Sequence, residues 1–598
     1  MAMDFDTAML VEYLGSDSAR LKYFVIGCGV GVGTICVVKL INYWCEWERL
    51  KKLRNTKAES SARAKKELLQ CLGDQRDNSP HQGKLWEAIL ELSFGDIVVG
   101  LQSREIKAVD VLHAYQWKAL SVDVNLNCVT EPIQDAEVWA RICDESEFTT
   151  GPLHGLPVSI KESIPVTLSA TTIGLSKYAD DIAESDCVLV QTLKRLGAIP
   201  FMKTNVPQGM MSFSCSGNPV HGKTLNPHDP KRSPGGSSGG EGSLIGAGGS
   251  LLGFGSDTGG SIRIPSHMCG IAGFKPSSNR LSQLGLHPCY RVPPKIQTSL
   301  GPLSVNVDGL VLAMRSILNA DISDLDCVVP PVSFRNELFH NSDKLRIGFY
   351  VSDGYLPATP ACARAVLMTK DVLEANGHTI VPWTPPRVKF AMEYLYANAV
   401  MGDNGQSFLE EVSHDKIDES VASLYWLLQI PALIRKSLAA IVRPFSPFAA
   451  EMLTVGLKLK SVHDYWTLCA HIDEYKEEFT KDWKDAGLDA VICPGFVVPA
   501  LPHGCSIFPL TFSTALYSML DFPAGSVPVT KVSKTDDQQL QTGYPQTSFA
   551  EKCVRAFGKD SEGLPVNVQC VTLPWQEEKC LRIMKEIETG QEAHKKTL

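Results

Sequence analysis

Several things are missing from this 598-residue chain, and each absence narrows what it can be. Its 18 cysteines form no CxxC pair and show no metal-ligand spacing, and no Asn-x-Ser/Thr acceptor is found. Neither a disulfide scaffold nor a zinc site organises such a chain; free thiols in a reducing compartment, with no metal or cofactor, are expected. Positive charge is not in excess: 57 Lys and Arg face 66 Asp and Glu, a net of −9, so nothing favours nucleic acid as a partner. Past His471 there are few histidines, His503 and His594, and His503 sits in a Pro/Gly loop. No internal repeat is visible. What remains is 44% hydrophobic and 21% charged, a globular composition with ample core.

Glycine and serine concentrate in residues 235–263, from Gly235-Gly236-Ser237-Ser238-Gly239-Gly240 to Asp257-Thr258-Gly259-Gly260-Ser261-Ile262-Arg263. Glycine reaches φ > 0 and lets other groups approach the backbone closely. Two such turns suit a site where main-chain N–H groups point at a ligand atom, and the serines between them offer hydroxyl nucleophiles or proton carriers. A flexible linker would lack Leu244, Ile245, Leu251, Leu252 and Phe254 in its middle, and the charged pair Asp257 and Arg263.

Upstream, Pro157-Val158-Ser159-Ile160-Lys161 reads as a short buried strand ending on a lysine. A desolvated lysine can act as a base. Taken alone, Lys161 reads more readily as a surface lysine with a buried stem; together with the serine stretch the base is the better reading. Glu162 follows on the strand and is expected to point to the other face.

The span 235–265 resembles the glycine-serine signature of the amidase signature family of hydrolases, and Lys161 falls where that family places its catalytic lysine. Leu520-Asp521-Phe522-Pro523-Ala524-Gly525, Gly563-Leu564-Pro565-Val566-Asn567-Val568-Gln569 and Leu573-Pro574-Trp575 resemble the family's C-terminal half, so the likeness covers roughly residues 90–585. The resemblance implies a Ser-Ser-Lys triad: Ser261 the nucleophile, Ser237 the bridging serine, Lys161 the base. Ser237 would then protonate the leaving amine. This scheme needs a neutral lysine, so activity is expected to rise toward alkaline pH. The N–H groups of Thr258, Gly259, Gly260 and Ser261 are expected to form the oxyanion hole. Asp257 and Arg263 are expected to brace the loop, with Ser238 supporting its turn. Met210, Met211 and Phe213 match the region lining the acyl channel in members that cleave fatty acid amides at membranes; ordinary core packing is an equal reading.

The membrane enters through residues 23–44, an apolar run with aromatics at both ends. As a helix it is about 33 Å long, enough for the hydrocarbon core. A signal peptide would need a basic start, but Asp4, Asp6, Glu12 and Asp17 precede it. Basic residues from Arg49 to Lys66 outnumber Arg20 and Lys22, which places the C-terminal part in the cytosol. The expected division is an extracytosolic tail (1–22), an anchor (23–44), a charged helical linker (45–89), a catalytic domain (90–585) and a C-terminal tail (586–598). Within the linker, 46–72 reads as one helix and 73–83 as a loop. Ser103-Arg104-Glu105-Ile106 reads as a capping box. Residues 421–450 read as two short helices with apolar faces and a rim of Arg435, Lys436 and Arg443, lying either in a membrane surface or as a core hairpin.

Strands at 345–351 and 488–493 alternate with a helix at 360–376 closed by Gly377. The fold expected is α/β, a mixed, twisted central β-sheet flanked by helices. With the anchor, the resemblance implies long-chain fatty acid primary amides and N-acylethanolamines as substrates, an internal membrane such as the endoplasmic reticulum, and a homodimer. Alternatives are a general amidase for small or aryl amides, or an anchored lipid-binding or scaffold protein with an inactive site. Two motifs mislead. Gly217 to Thr224 fits GxxxxGK[ST], but Asn226-Pro227-His228-Asp229-Pro230 cannot open a helix. Gly235 to Gly239 fits GxSxG, but a turn rather than a strand precedes it.

Overall fold

The computed structural model describes residues 32–214, 216–287, 295–505 and 507–597. The tail before the anchor and the anchor's first residues lie outside the described residues. Helix α1 (Val32–Asn78) runs through Gly73 without a break, and α2 (Pro80–Glu91) follows almost at once. The loop read at 73–83 is therefore helical. Ser79 makes the junction by capping α2 (Gln82 N donates to Ser79 Oγ, 3.4 Å), with Pro80 in the first turn, where a missing N–H costs nothing. Residues 45–89 are helical apart from the junction at Ser79, and their Leu50, Leu72, Trp86 and Ile89 are buried.

Helices α3 (Phe94–Gln102) and α4 (Ala108–Leu126) come next. Ser103 ends α3, its N–H donating to Val99 O at 2.8 Å, and so it is no capping box. The carboxylate of Asp144 instead receives the first N–H groups of α4, from Ala108 at 2.7 Å and Val109 at 3.1 Å. A remote side chain supplies the cap, which no local pattern reveals.

The central sheet contains β1 (Val129–Pro132), β2 (Pro157–Lys161), β3 (Ile199–Thr204), β4 (Leu252–Asp257), β5 (Ala272–Lys275), β6 (Ser299–Ser304), β7 (Arg346–Phe349), β8 (Thr379–Pro382), β9 (Ala490–Pro494), β10 (Ala524–Lys531) and β11 (Pro565–Thr572). Their order is β1-β3-β2-β4-β6-β5-β10-β11-β9-β7-β8. β2 pairs parallel with β3 and β4, and β7 pairs parallel with β8 and β9, while β4, β6, β5, β10 and β11 pair antiparallel in turn. The sheet is mixed and covered by helices, as expected.

Helices α5 (Gly239–Gly246) and α6 (Arg263–Cys269) flank β4 in sequence. α7 (Pro360–Ala375) ends at Asn376, and Gly377 follows with φ +89°, the left-handed turn expected there. α8 (Glu419–Gln429) and α9 (Ala432–Val442) meet at 98°. Among the described residues no single helix is long and apolar enough to cross a membrane; this bent pair passes that test together. Trp426, Leu433, Ile434, Leu438, Ile441 and Phe445 are exposed, with Phe445 at 87%. Arg435 does not belong to a basic rim. It is fully buried, donating to Leu453 O (2.8 Å), Val455 O (2.8 Å) and Asn404 Oδ1 (2.9 Å), because the following helix, Pro447–Thr454, leaves carbonyls open at its C-terminal end. The 586–598 tail is likewise revised: α10 (Glu577–Thr597) continues through it, with Ile587 buried.

Candidate active site

β2 is buried along its whole length and ends on Lys161. Its register with β4 (Ser159 opposite Gly253, Ile160 opposite Phe254) sets Lys161 beside Ser256. Lys161 Nζ donates to Ser256 Oγ at 2.8 Å and to Ser237 Oγ at 2.7 Å. Ser237 sits in a turn where Gly235 has φ +80° and the Gly236–Ser237 peptide is cis. Ser238 N donates to Ser261 O at 3.2 Å, so the two glycine-serine turns are tied together. Ser238 Oγ reaches Ser256 O at 3.5 Å. A Cβ on Gly240 would come within 2.2 Å of Asn205 N, so a glycine is required where α5 meets the chain after β3.

The second turn is built around Asp257. Its carboxylate accepts from Gly260 N (2.7 Å), Ile262 N (3.1 Å) and Arg263 N (3.4 Å), and it pairs with the Arg263 guanidinium at 2.9 and 3.0 Å. Arg263 also donates to Thr514 O (2.8 Å), Gln569 Oε1 (2.8 Å) and Ser518 Oγ (2.7 Å). Both members of the pair are fully buried. Burial alone would raise the Asp257 carboxyl, but the charge and hydrogen bonds of Arg263 outweigh it and hold the group at about 2. One expectation changes here. The Gly260 N–H is taken by Asp257, which leaves Thr258, Gly259 and Ser261 as the residues of this loop that line the cavity.

The cavity has a volume of about 340 Å³ and brings Ser237, Ser256 and Ser261 together with Met210, Met211 and Phe213. Tyr396, Val400 and Phe508 extend its apolar wall. Asp257, Arg263 and Ser238 stand behind it. Sequence reasoning did not single out Ser256, although it precedes Asp257 in the signature, because its role depends on the neighbouring strand. Tyr396 and Phe508 carry no local signal at all. Beneath the site, burial pushes the Glu241 carboxyl up to about 7, although Ser159 and Thr204 donate to it at 2.6 and 2.7 Å. Glu162 points away from Lys161 and accepts from Ile173 N at 2.9 Å and from Thr172 N. The GxxxxGK[ST] match is a small hairpin, Gly217–Asn218 against Gly222–Lys223, with no helix after it.

This arrangement sets two serines, Ser237 held by Lys161 and Ser261, in the lining of an apolar cavity, with the main chain of Thr258 and Gly259 beside them. It suits acyl transfer. Residues 110–581 match the Amidase family, and the chain belongs to it. The protein is an amide-hydrolysing enzyme. Fatty-acid amide hydrolase 1 of Sus scrofa is 41% identical over 84% of this chain and 86% of its own length. Fatty acid amide hydrolase 1 of Caenorhabditis elegans is 38% identical over 83% and 88% respectively. A solved fatty acid amide hydrolase superposes with a TM-score of 0.74 over 92% of this chain and 96% of its own, at 23% identity, a likeness of fold.

Proposed function

We propose that this amidase cleaves fatty acid primary amides and N-acylethanolamines at a membrane, releasing fatty acid and ammonia or amine. The observation that carries the reading is the 2.7 Å contact from Lys161 Nζ to Ser237 Oγ in the lining of a cavity walled by Met210, Met211, Phe213 and Phe508. The names of the relatives from Sus scrofa and Caenorhabditis elegans support the same substrate class.

Ser261 attacks the amide carbon. Its proton passes to Ser237 while Ser237 passes its own to neutral Lys161. The carbonyl oxygen, now an anion, receives N–H groups from Thr258, Gly259 and Ser261. Each such donor is typically worth about 10²–10³ in rate. The protons then return from Lys161 through Ser237 to the leaving nitrogen, because an amide anion is too basic to leave. Water enters by the same relay and frees the acid from Ser261.

The exposed apolar face of α8 and α9 supports insertion into a bilayer surface, with the 23–44 anchor alongside, the catalytic domain in the cytosol and an internal membrane as location. A homodimer belongs to the same reading. The test is hydrolysis of octadecenamide against acetamide in detergent, with wild type beside Ser261→Ala. A strong preference for the long chain and an inactive variant are expected. Equal rates on both amides would overturn the substrate, and an active Ser261→Ala would overturn the nucleophile.

A further inference from the structure

The acyl-side wall of the cavity begins at Met210, and the backbone there is unusual. Met210 has φ +58°, a left-handed conformation that a side chain bearing a Cβ rarely adopts. Such a residue persists where its surroundings over-determine it. The surroundings are specific. Gln208 is fully buried and does not line the cavity. Its amide Nε2 donates to Lys416 O at 2.9 Å, and its Oε1 accepts from Asp418 N at 2.9 Å. Both ends of one side chain thus grip the main chain on either side of Ile417. Gly209 N donates to Ile173 O at 2.9 Å, and Met211 N to Gln208 O at 3.3 Å.

The gripped loop leads elsewhere. Asp418 caps α8, the first helix of the exposed apolar pair, accepting from Ser420 N at 2.9 Å. Asp415 accepts from Ser176 N (2.8 Å) and Ser176 Oγ (2.6 Å), and lies 3.5 Å from Arg54 of α1. The Ile173 side is held as well: Lys57 of α1 pairs with Glu131 at 2.5 Å, and Glu131 accepts from Ala170 N at 2.8 Å. α1 and the start of the apolar pair therefore meet the wall through a short series of hydrogen bonds.

We propose that Gln208 is a positioning residue that sets the acyl wall at Met210 and Met211 by clamping it to the 415–418 loop, so that acyl-chain selectivity depends on the docking of α1 and α8. The inference rests on the proposed function, which assigns this wall to the acyl chain. A buried glutamine that merely satisfied its neighbours would change stability without changing selectivity.

The experiment compares steady-state constants for acetamide, octanamide and octadecenamide in wild type, Gln208→Met, Gln208→Glu and Arg54→Ala. Methionine keeps the length and removes both hydrogen bonds. Gln208→Met is expected to raise KM for octadecenamide by about tenfold, with its kcat and both acetamide constants within about twofold of wild type. Gln208→Glu keeps the acceptor half of the clamp and is expected to fall between. Arg54→Ala, two contacts away, is expected to shift the same profile by about two- to threefold. A uniform loss across the three amides, or an unchanged profile, overturns the proposal. Should Gln208→Met not fold, the Arg54→Ala profile decides the matter in the same way. If wild type favours acetamide, the function reading fails, while the clamp still stands or falls on whether the variants alter the wild-type profile.

Discussion

Replacing Arg263 by methionine tests the electrostatic reasoning most directly. Arg263 and Asp257 are both fully buried, and the guanidinium satisfies the carboxylate with two bonds of 2.9 and 3.0 Å. In the wild type the carboxyl is held at about 2 against an ordinary 3.8, so it contributes about 2 kcal/mol of stability above pH 3.8 that is lost as pH falls toward 2. Without the guanidinium the same carboxyl stays buried, with its main-chain N–H donors and the more distant Lys275 left to oppose burial. It therefore moves up from about 2, and the variant forgoes stability that the wild type has above its own value. The penalty for such an orphaned charge is about 3–5 kcal/mol at neutral pH. The deficit is therefore expected to be largest at neutral pH and to shrink on acidification. Denaturant unfolding followed by tryptophan fluorescence, from about pH 8 to about pH 4, measures it. Asp257→Asn in the Arg263→Met background is expected to recover part of the loss, since no charge is left behind. A deficit below about 1 kcal/mol, or one that does not change with pH, would refute the reasoning.

Two further outcomes follow from the site. Ser256→Ala removes one of the two hydroxyls that hold Lys161 Nζ, so kcat is expected to fall by about 10- to 100-fold with KM little changed and Ser256→Thr restoring most of it; equal losses in both variants would count against a hydroxyl role. Glu241 titrates at about 7 in the folded protein against 4.5 ordinarily, so the fold favours its protonated form and loses up to about 3 kcal/mol as pH rises between those values. Glu241→Gln is expected to flatten that slope, its Tm gaining on wild type from about pH 5 to about pH 8, and parallel Tm curves would refute the assignment.

Much of the site was legible because its constraints are local. Glycines at 235, 240 and 260 answer to backbone conformation and close approach, and a strand that closes on a lysine shows itself as an apolar run. Alternating strands and helices likewise announced a mixed α/β sheet. Where the readings failed, the deciding side chain was one that the local pattern does not point to. Asp144 caps α4 in place of Ser103, Asp257 claims the N–H of Gly260, and Arg435 turns inward to carbonyls at 453 and 455.

The sequence by itself singled out the candidates, since the glycine-serine turns at 235–263 and the apolar strand ending on Lys161 are local patterns, and the family resemblance gave Lys161, Ser237 and Ser261 their proposed roles. Only the tertiary structure decided how they meet and what surrounds them. Strand pairing put Ser256 beside Lys161, a hydrogen bond joined the two serine turns, and Gln208 gripped a loop that begins at Asp415. Hydrogen bonds and ion pairs between separate segments leave no periodicity to read, because each end of the pair is an ordinary residue until folding brings the other to it.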